Sequence, residues 1–280
     1  MREINVNEIR MAVAEMVIEA NTRLPADIKQ ALHVAMEHER LSAARRILQI
    51  TLENAELAAS EKMALCQDTG LVVVDIELGQ DVHFLGGDLA EAINQGISAG
   101  YQQAYLRKSI VRDPFDRVNT GDNTPAVVHI HLTAGENLKI TVFPKGAGSE
   151  NMGQLAMLKP AQGKAGVVDF VLKVVKDAAA NPCPPIVVGV GVGGNMEKAA
   201  LMAKQALFRE VGQLNPREDL ADLEEELLTK INQLDIGPQG LGGINTALAV
   251  HVETYPTHMA CLPVAVSLGC HSTRRISRKF

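Results

Sequence analysis

The sequence predicts a mixed α/β (α+β) fold, with a helical N-terminal layer followed by mostly antiparallel strands flanked by helices. Three observations carry this. Within the first 60 residues, Ile9, Val13, Met16, Val17 and Ala20 recur at the spacing of one helix face. Further on, Leu71–Ile76, Val127–Leu132 and Leu138–Phe143 are short runs rich in β-branched residues, and the last two alternate as half-buried strands do. Between those two, Gly135-Glu136-Asn137 reads as a turn, which predicts an antiparallel hairpin.

In chain order, Asn7 is a candidate N-cap for the first helix, a second helix follows Pro25, and a third begins at Ser42. After the strand at Leu71, a helix is expected from about Asp88 to Leu106. A polar loop then runs from Asp113 to Pro125. Beyond the hairpin, helices are expected near 166–180, 196–208 and 217–234, with strand-like runs at 186–188, 246–252 and 263–267. No repeat, low-complexity tract or linker interrupts the chain. The expected organisation is one domain over 1–280, with residues 1–60 as a mainly helical subdomain.

Composition narrows the function classes. Of 280 residues, 46% are hydrophobic and 21% charged, ordinary globular values, so a substantial core is expected. A net charge of −6 argues against nucleic acid or an anionic membrane as the main partner. The basic end Arg274-Arg275-Ile276-Ser277-Arg278-Lys279 reads either as a solvated tail or as a patch for an acidic partner surface. No stretch approaches the roughly 18–20 apolar residues of a membrane span, and Met1-Arg2-Glu3-Ile4-Asn5 does not read as a secretory signal. A cytoplasmic location is expected, where disulfides are disfavoured and a cysteine with a role serves metal or catalysis.

One motif suggests a nucleotide. Gly189, Gly191 and Gly194 satisfy G-x-G-x-x-G between a strand and a helix. The strand ending in an acidic residue that should follow is not evident, so an NAD-dependent oxidoreductase is kept only as a distant alternative.

The cysteines are more informative. Cys66 precedes Gln67-Asp68-Thr69-Gly70, Cys183 is framed by Pro182 and Pro184, and Cys270 follows Gly269 at a strand end. Each sits in a turn beside a strand, where loop-borne side chains can serve a site. Cys261, in Met259-Ala260-Cys261-Leu262, reads as a packing cysteine. Spacing alone leaves open whether the three turn cysteines meet. Three thiolates on a cubane would leave one iron open to substrate.

Six ordered motifs then carry a resemblance. They are Cys66-Gln67-Asp68-Thr69-Gly70, Asn119-Thr120-Gly121-Asp122-Asn123, the loop Lys145 to Met152, Cys183-Pro184-Pro185 with its glycine loop, Asp235-Ile236-Gly237-Pro238-Gln239-Gly240, and Gly269-Cys270. Over nearly its whole length the chain resembles the N-terminal part of class I, iron–sulfur fumarate hydratases. It also resembles the α subunits of their two-chain relatives, including L(+)-tartrate dehydratase.

The resemblance implies a [4Fe–4S] cluster held by Cys66, Cys183 and Cys270. It makes Asp68 and His258 catalytic, with Asp68 orienting or assisting the base and His258 contacting substrate. Gln67, Arg107, Gly146 and Gly148 bind substrate, with Arg107 gripping a carboxylate. The implied reaction is reversible hydration of fumarate to L-malate, with L(+)-tartrate dehydration as the alternative. Single-chain family members continue into a second domain that carries further arginines, a lysine and the threonine base. The implied partner is therefore a separate β subunit, in a larger hetero-oligomer acting on a small dicarboxylate. Plain structural readings stand beside these: Arg107 as a surface arginine, His258 as a hydrogen-bonded histidine, and His129 and His131 as structural side chains on the hairpin.

Overall fold

The computed structural model describes all residues, 1–280. The elements are β1 (Arg2–Asn5), α1 (Val6–Thr22), α2 (Ala26–His38), α3 (Ser42–Glu61), β2 (Leu71–Gly79), β3 (Val82–Leu85), α4 (Leu89–Gln103), β4 (Val127–Thr133), β5 (Leu138–Lys145), α5 (Ala147–Glu150) and β6 (Gln154–Leu158). They continue with α6 (Gly163–Ala178), β7 (Ile186–Gly193), α7 (Met196–Ala206), α8 (Glu218–Asn232), β8 (Ala247–Tyr255), β9 (Leu262–Gly269) and β10 (Ile276–Lys279). The mixed α/β class is as expected, and the helices fall within a few residues of their expected bounds.

The chain forms two compact units, both discontinuous in sequence. The first comprises Met1–Pro25, Asn54–Ala147 and Arg274–Phe280; the second comprises Ala26–Glu53 and Gly148–Thr273. The three N-terminal helices are shared out between them, because α1 and α2 bury their apolar faces against different sheets.

In the first unit a four-stranded sheet has the order β10-β5-β2-β4. The cap of α1 is Asn5, whose side chain accepts the Asn7 N–H, so the cap lies two residues before the one expected from sequence. Ile9, Val13, Met16 and Val17 of α1 are fully buried with Val72, Val74 and Ile76 of β2 and Ile93 and Ile97 of α4. Each such side chain contributes about 1.5–3 kcal/mol of burial. The helices approach closely because Gly96 and Gly100 face α1; a Cβ at Gly100 would lie 2.3 Å from Val17 Cγ2.

The predicted hairpin is not formed. β2 lies between the two strands, parallel to β4 and antiparallel to β5. The segment after β4 instead crosses the end of β2, where Gly79 N–H donates to Asn137 O and Gln80 N–H to Thr133 O. Alternation marks strands but carries no label for the partner, so the short turn suggested the wrong neighbour. His131 serves this sheet: its Nε2 lies 2.8 Å from Oδ1 of buried Asp75 on β2.

In the second unit the sheet order is β6-β9-β7-β8, with β7 parallel to β8 and antiparallel to β9. α6 and α8 pack Val171, Val174, Leu227 and Ile231 against Val188, Val190, Val252 and Val264. α7 packs on β7 with Ala199 and Ala203. No helix is long and apolar enough to cross a membrane.

Candidate active site

The loop from Cys66 to Gly70 joins α3 to β2 in the first unit. Its centre is Asp68. Asp68 Oδ1 accepts the Gly70 N–H at 3.0 Å and pairs with Arg107 Nη2 at 3.3 Å, while Oδ2 accepts the Ala147 N–H at 2.7 Å. The Asp68 N–H points at Cys66 Sγ, 3.4 Å away. The carboxylate is thus held in one orientation by two backbone amides and a guanidinium. Gly146 leaves room for it: a Cβ there would lie 3.2 Å from Asp68 Oδ2.

Polar groups from elsewhere in this unit brace the loop. Thr69 Oγ1 donates to Arg107 O at 2.6 Å, tying the arginine's backbone to the loop while its side chain stays exposed. The Tyr101 hydroxyl donates to Thr69 O at 2.5 Å. Burial pushes that phenol up to about 12, so it remains a donor throughout the neutral range. Asn123 Nδ2 donates to Gly70 O at 3.1 Å, and Asn123 Oδ1 accepts the Ser109 N–H at 2.6 Å. The Asn119–Asn123 motif therefore supports the segment carrying Arg107. Gln67 stands exposed beside these groups.

Arg274 was missed at the level of sequence. The basic end does not begin as a solvated tail: Arg274 is 2% exposed and Arg275 8%. Arg274 Nη2 donates to Asp68 O at 2.8 Å and Nη1 to Asn21 Oδ1 at 3.2 Å, while its Nε finds no acceptor. A cluster of basic residues at a chain end gives no signal that distinguishes a buried member from a solvated one.

In the second unit Cys183 lies in the turn before β7, with a φ of +56°, and Cys270 follows β9. Val187 of β7 pairs with Gly269 of β9, so the antiparallel register brings both cysteines to one end of the sheet. Backbone contacts join the two turns: His271 N–H donates to Cys183 O at 3.2 Å. Cys270 Sγ lies 3.3 Å from Ser272 Oγ. Gly148 starts this unit's second segment, and a Cβ there would lie 3.3 Å from Asn181 O, two residues before Cys183.

His258 is placed differently. It sits exposed in the turn between β8 and β9, where its Nδ1 accepts the Ala260 N–H at 3.1 Å. The whole of β9, about 26 Å at 3.3 Å per residue, separates it from the Cys270 end of the sheet. It lines a pocket of about 630 Å³ with Arg217, Thr257, Met259 and Cys261.

The glycine fingerprint has a packing cause. A Cβ at Gly189 would meet Ala203 O at 2.1 Å, and one at Gly191 would meet Ala199 O at 2.1 Å. Both glycines lie within β7 and let the backbone of α7 press directly on the strand.

A family model described as fumarate hydratase (Fumerase) matches residues 10–279. The chain belongs to that family. This puts it among the hydro-lyases. It is 38% identical over 279 residues to a Methanocaldococcus jannaschii protein provisionally named L(+)-tartrate dehydratase subunit alpha, covering 98% of each chain. It is 34% identical over 274 residues to L(+)-tartrate dehydratase subunit alpha of Escherichia coli K12, covering 96% of this chain and 90% of that one. The Shigella sonnei protein of the same name matches equally.

For this fumarate hydratase family member the cysteine chemistry suits an iron–sulfur cluster. Cys66, Cys183 and Cys270 are in no disulfide, are half-buried, and sit in loops whose thiolates could serve as ligands. Cys66 belongs to the first unit and the other two to the second, and no three His, Cys, Asp or Glu side chains form a ready-made metal group.

Proposed function

We propose that this chain is the cluster-bearing α subunit of a two-chain hydro-lyase, in which its 280 residues act as one functional domain that binds a [4Fe–4S] cluster through Cys66, Cys183 and Cys270. The observation that carries the reading is the anchoring of Asp68, two residues from Cys66, by Gly70, Ala147 and Arg107. A carboxylate held this rigidly is suited to orient a proton-transferring group rather than to roam as a surface charge. When bound, the cluster supplies a Lewis-acidic iron toward a substrate hydroxyl and carboxylate.

The chain's own residues do the rest. The side chain of Arg107 is 55% exposed, so a substrate carboxylate can reach its guanidinium while Asp68 fixes its approach. The amides around Gly146 and Gly148 can approach substrate closely because no side chain intervenes. Proton removal beside a carboxylate builds negative charge, and preorganised cations lower that barrier most. His258, at the opposite end of β9 from Cys270, is left out of this machinery. The general base comes from the β subunit, whose existence the names of the relatives support.

The first substrate pair we propose is fumarate and L-malate, because the Gly148-Ser149-Glu150-Asn151-Met152 loop resembles two-chain fumarases. The names of the relatives favour L(+)-tartrate as the second reading. The test is anaerobic co-expression with the β partner, followed by iron and sulfide analysis and assay of both substrates. Iron and sulfide near four each, and their loss in Cys270→Ser but not Cys261→Ser, are expected. A colourless, iron-free protein after anaerobic reconstitution would sink the proposal.

A further inference from the structure

The motif Asp235–Gly240 has no part in the chemistry above, yet it forms a tight and specific structure. Gly237, with a φ of +65°, has Gly242 O within 1.9 Å of where a Cβ would stand. Gly240, with a φ of +75°, presses on Ala180, three residues before Cys183. These two glycines bend the segment so that Gln239 is delivered to the cysteine end of the second unit's sheet. There the Gln239 N–H donates to Pro184 O at 2.8 Å, and its side-chain Nε2 donates to the same oxygen at 3.1 Å. Nε2 also lies 3.2 Å from His271 Nδ1. That Nδ1 also lies 3.0 Å from Cys183 O; it accepts from Gln239 Nε2 in one tautomer and donates to that carbonyl in the other, so it serves one contact at a time.

We propose that Gln239 and His271 are positioning residues that lock the Cys183 turn to the Cys270 turn and so fix two thiols relative to each other before any metal arrives. The sheet register alone brings the turns to the same end but leaves both as connections free to shift beyond the last strand pair. The amide of Gln239 reaches Pro184 on one turn and the His271 ring on the other, so one planar side chain spans them. The segment is held at its start: Asp235 Oδ1 accepts the Gly243 N–H at 3.1 Å and Thr246 Oγ1 accepts the Gly237 N–H at 3.1 Å. The link to cluster binding rests on the function proposed above; the locking of the turns does not.

The test uses the full chain, metal-free and reduced, with iodoacetamide as probe and mass spectrometry to follow each cysteine. In Gln239→Ala and His271→Ala, alkylation of Cys183 and Cys270 should accelerate about fivefold, the equilibrium equivalent of one lost hydrogen bond. Cys66 and Cys261 should keep their rates. Gln239→Glu keeps the size but presents oxygen to Pro184 O, so it should behave like alanine. His271→Asn places a polar atom near the position of Nδ1 and should restore most of the protection. The double variant should add little to either single change. Unchanged alkylation at Cys183 and Cys270, or full protection in Gln239→Glu, overturns the proposal. If alanine variants fail to fold, Gln239→Glu and His271→Asn decide it. A second readout is the rate at which reconstituted protein loses its visible absorbance in air, expected to rise in the same order. Wild-type protein that binds no iron but shows the alkylation pattern would defeat the proposed function and leave the lock standing.

Discussion

Arg274 Nη2 donates to the backbone carbonyl of Asp68 at 2.8 Å, from a guanidinium that is 2% exposed. Taking such a charge out of water costs several kcal/mol unless it is well partnered. Here its other named acceptor is Asn21 Oδ1. The loop that carries Asp68 is therefore tied to the end of α1 by a residue more than two hundred positions away.

Replacing that tie has a defined cost. Arg274→Met should leave Asp68 O and Asn21 Oδ1 without their donor and lower stability by about 2 kcal/mol. Arg274→Lys keeps the charge but lacks the planar fork needed to reach both acceptors, and should recover less than half of the loss. Denaturant midpoints of the three proteins check this; equal midpoints would show that the guanidinium holds nothing.

Gly146 is predicted to matter for Asp68 rather than for folding. In Gly146→Ala the new methyl meets Asp68 Oδ2 at 3.2 Å, so the carboxylate or the Ala147 amide must give by a few tenths of an ångström. The hydration rate of the assembled enzyme should drop by about ten- to a hundredfold through misplacement. Thermal unfolding should shift little, because Gly146 does not use a left-handed φ. Steady-state kinetics beside a melting curve separates the two effects.

Glu39 should make part of the stability dependent on acid. Burial opposes its charge, but hydrogen bonds from Asn245, Leu41, Ile244 and Arg40 outweigh that and hold its pKa below the ordinary 4.5. A carboxylate whose pKa is lowered on folding stabilises the fold above its unfolded value, and that contribution is lost as pH falls through the lowered value. Wild-type melting temperature should therefore fall below about pH 4.5 more steeply than that of Glu39→Gln. At pH 7 the variant should be less stable by about 1–3 kcal/mol. Parallel slopes in acid would refute this.

The fingerprint glycines should behave as packing residues. Gly189→Ala drives a methyl into Ala203 O, where 2.1 Å is available, and should destabilise by about 3 kcal/mol or prevent folding. NAD should neither bind the wild type nor protect it from heat. Calorimetry and melting curves with the dinucleotide check both halves.

Much of this architecture was legible locally. Helix starts such as Asp88, which caps α4 by accepting the Glu91 N–H at 2.8 Å, depend on residues within one turn. The turn setting of Cys66, Cys183 and Cys270 was legible for the same reason, since glycine and proline act on their own neighbours. The burial of Arg274 was not, because nothing local separates it from exposed Lys279.

The sequence by itself determined where the longer helices and the central strands lie, which cysteines stand in turns, and the family that its motifs match. Short-range capping, turn chemistry and periodicity suffice for the first two. The tertiary structure alone decided that β2 separates β4 from β5, that Cys183 and Cys270 share one end of a sheet while His258 lies at the other, and that Gln239 spans their turns. The first two outcomes rest on backbone hydrogen bonds between segments far apart in the chain. Every residue but proline offers the same donor and acceptor there, so no side chain announces which partner its strand will take.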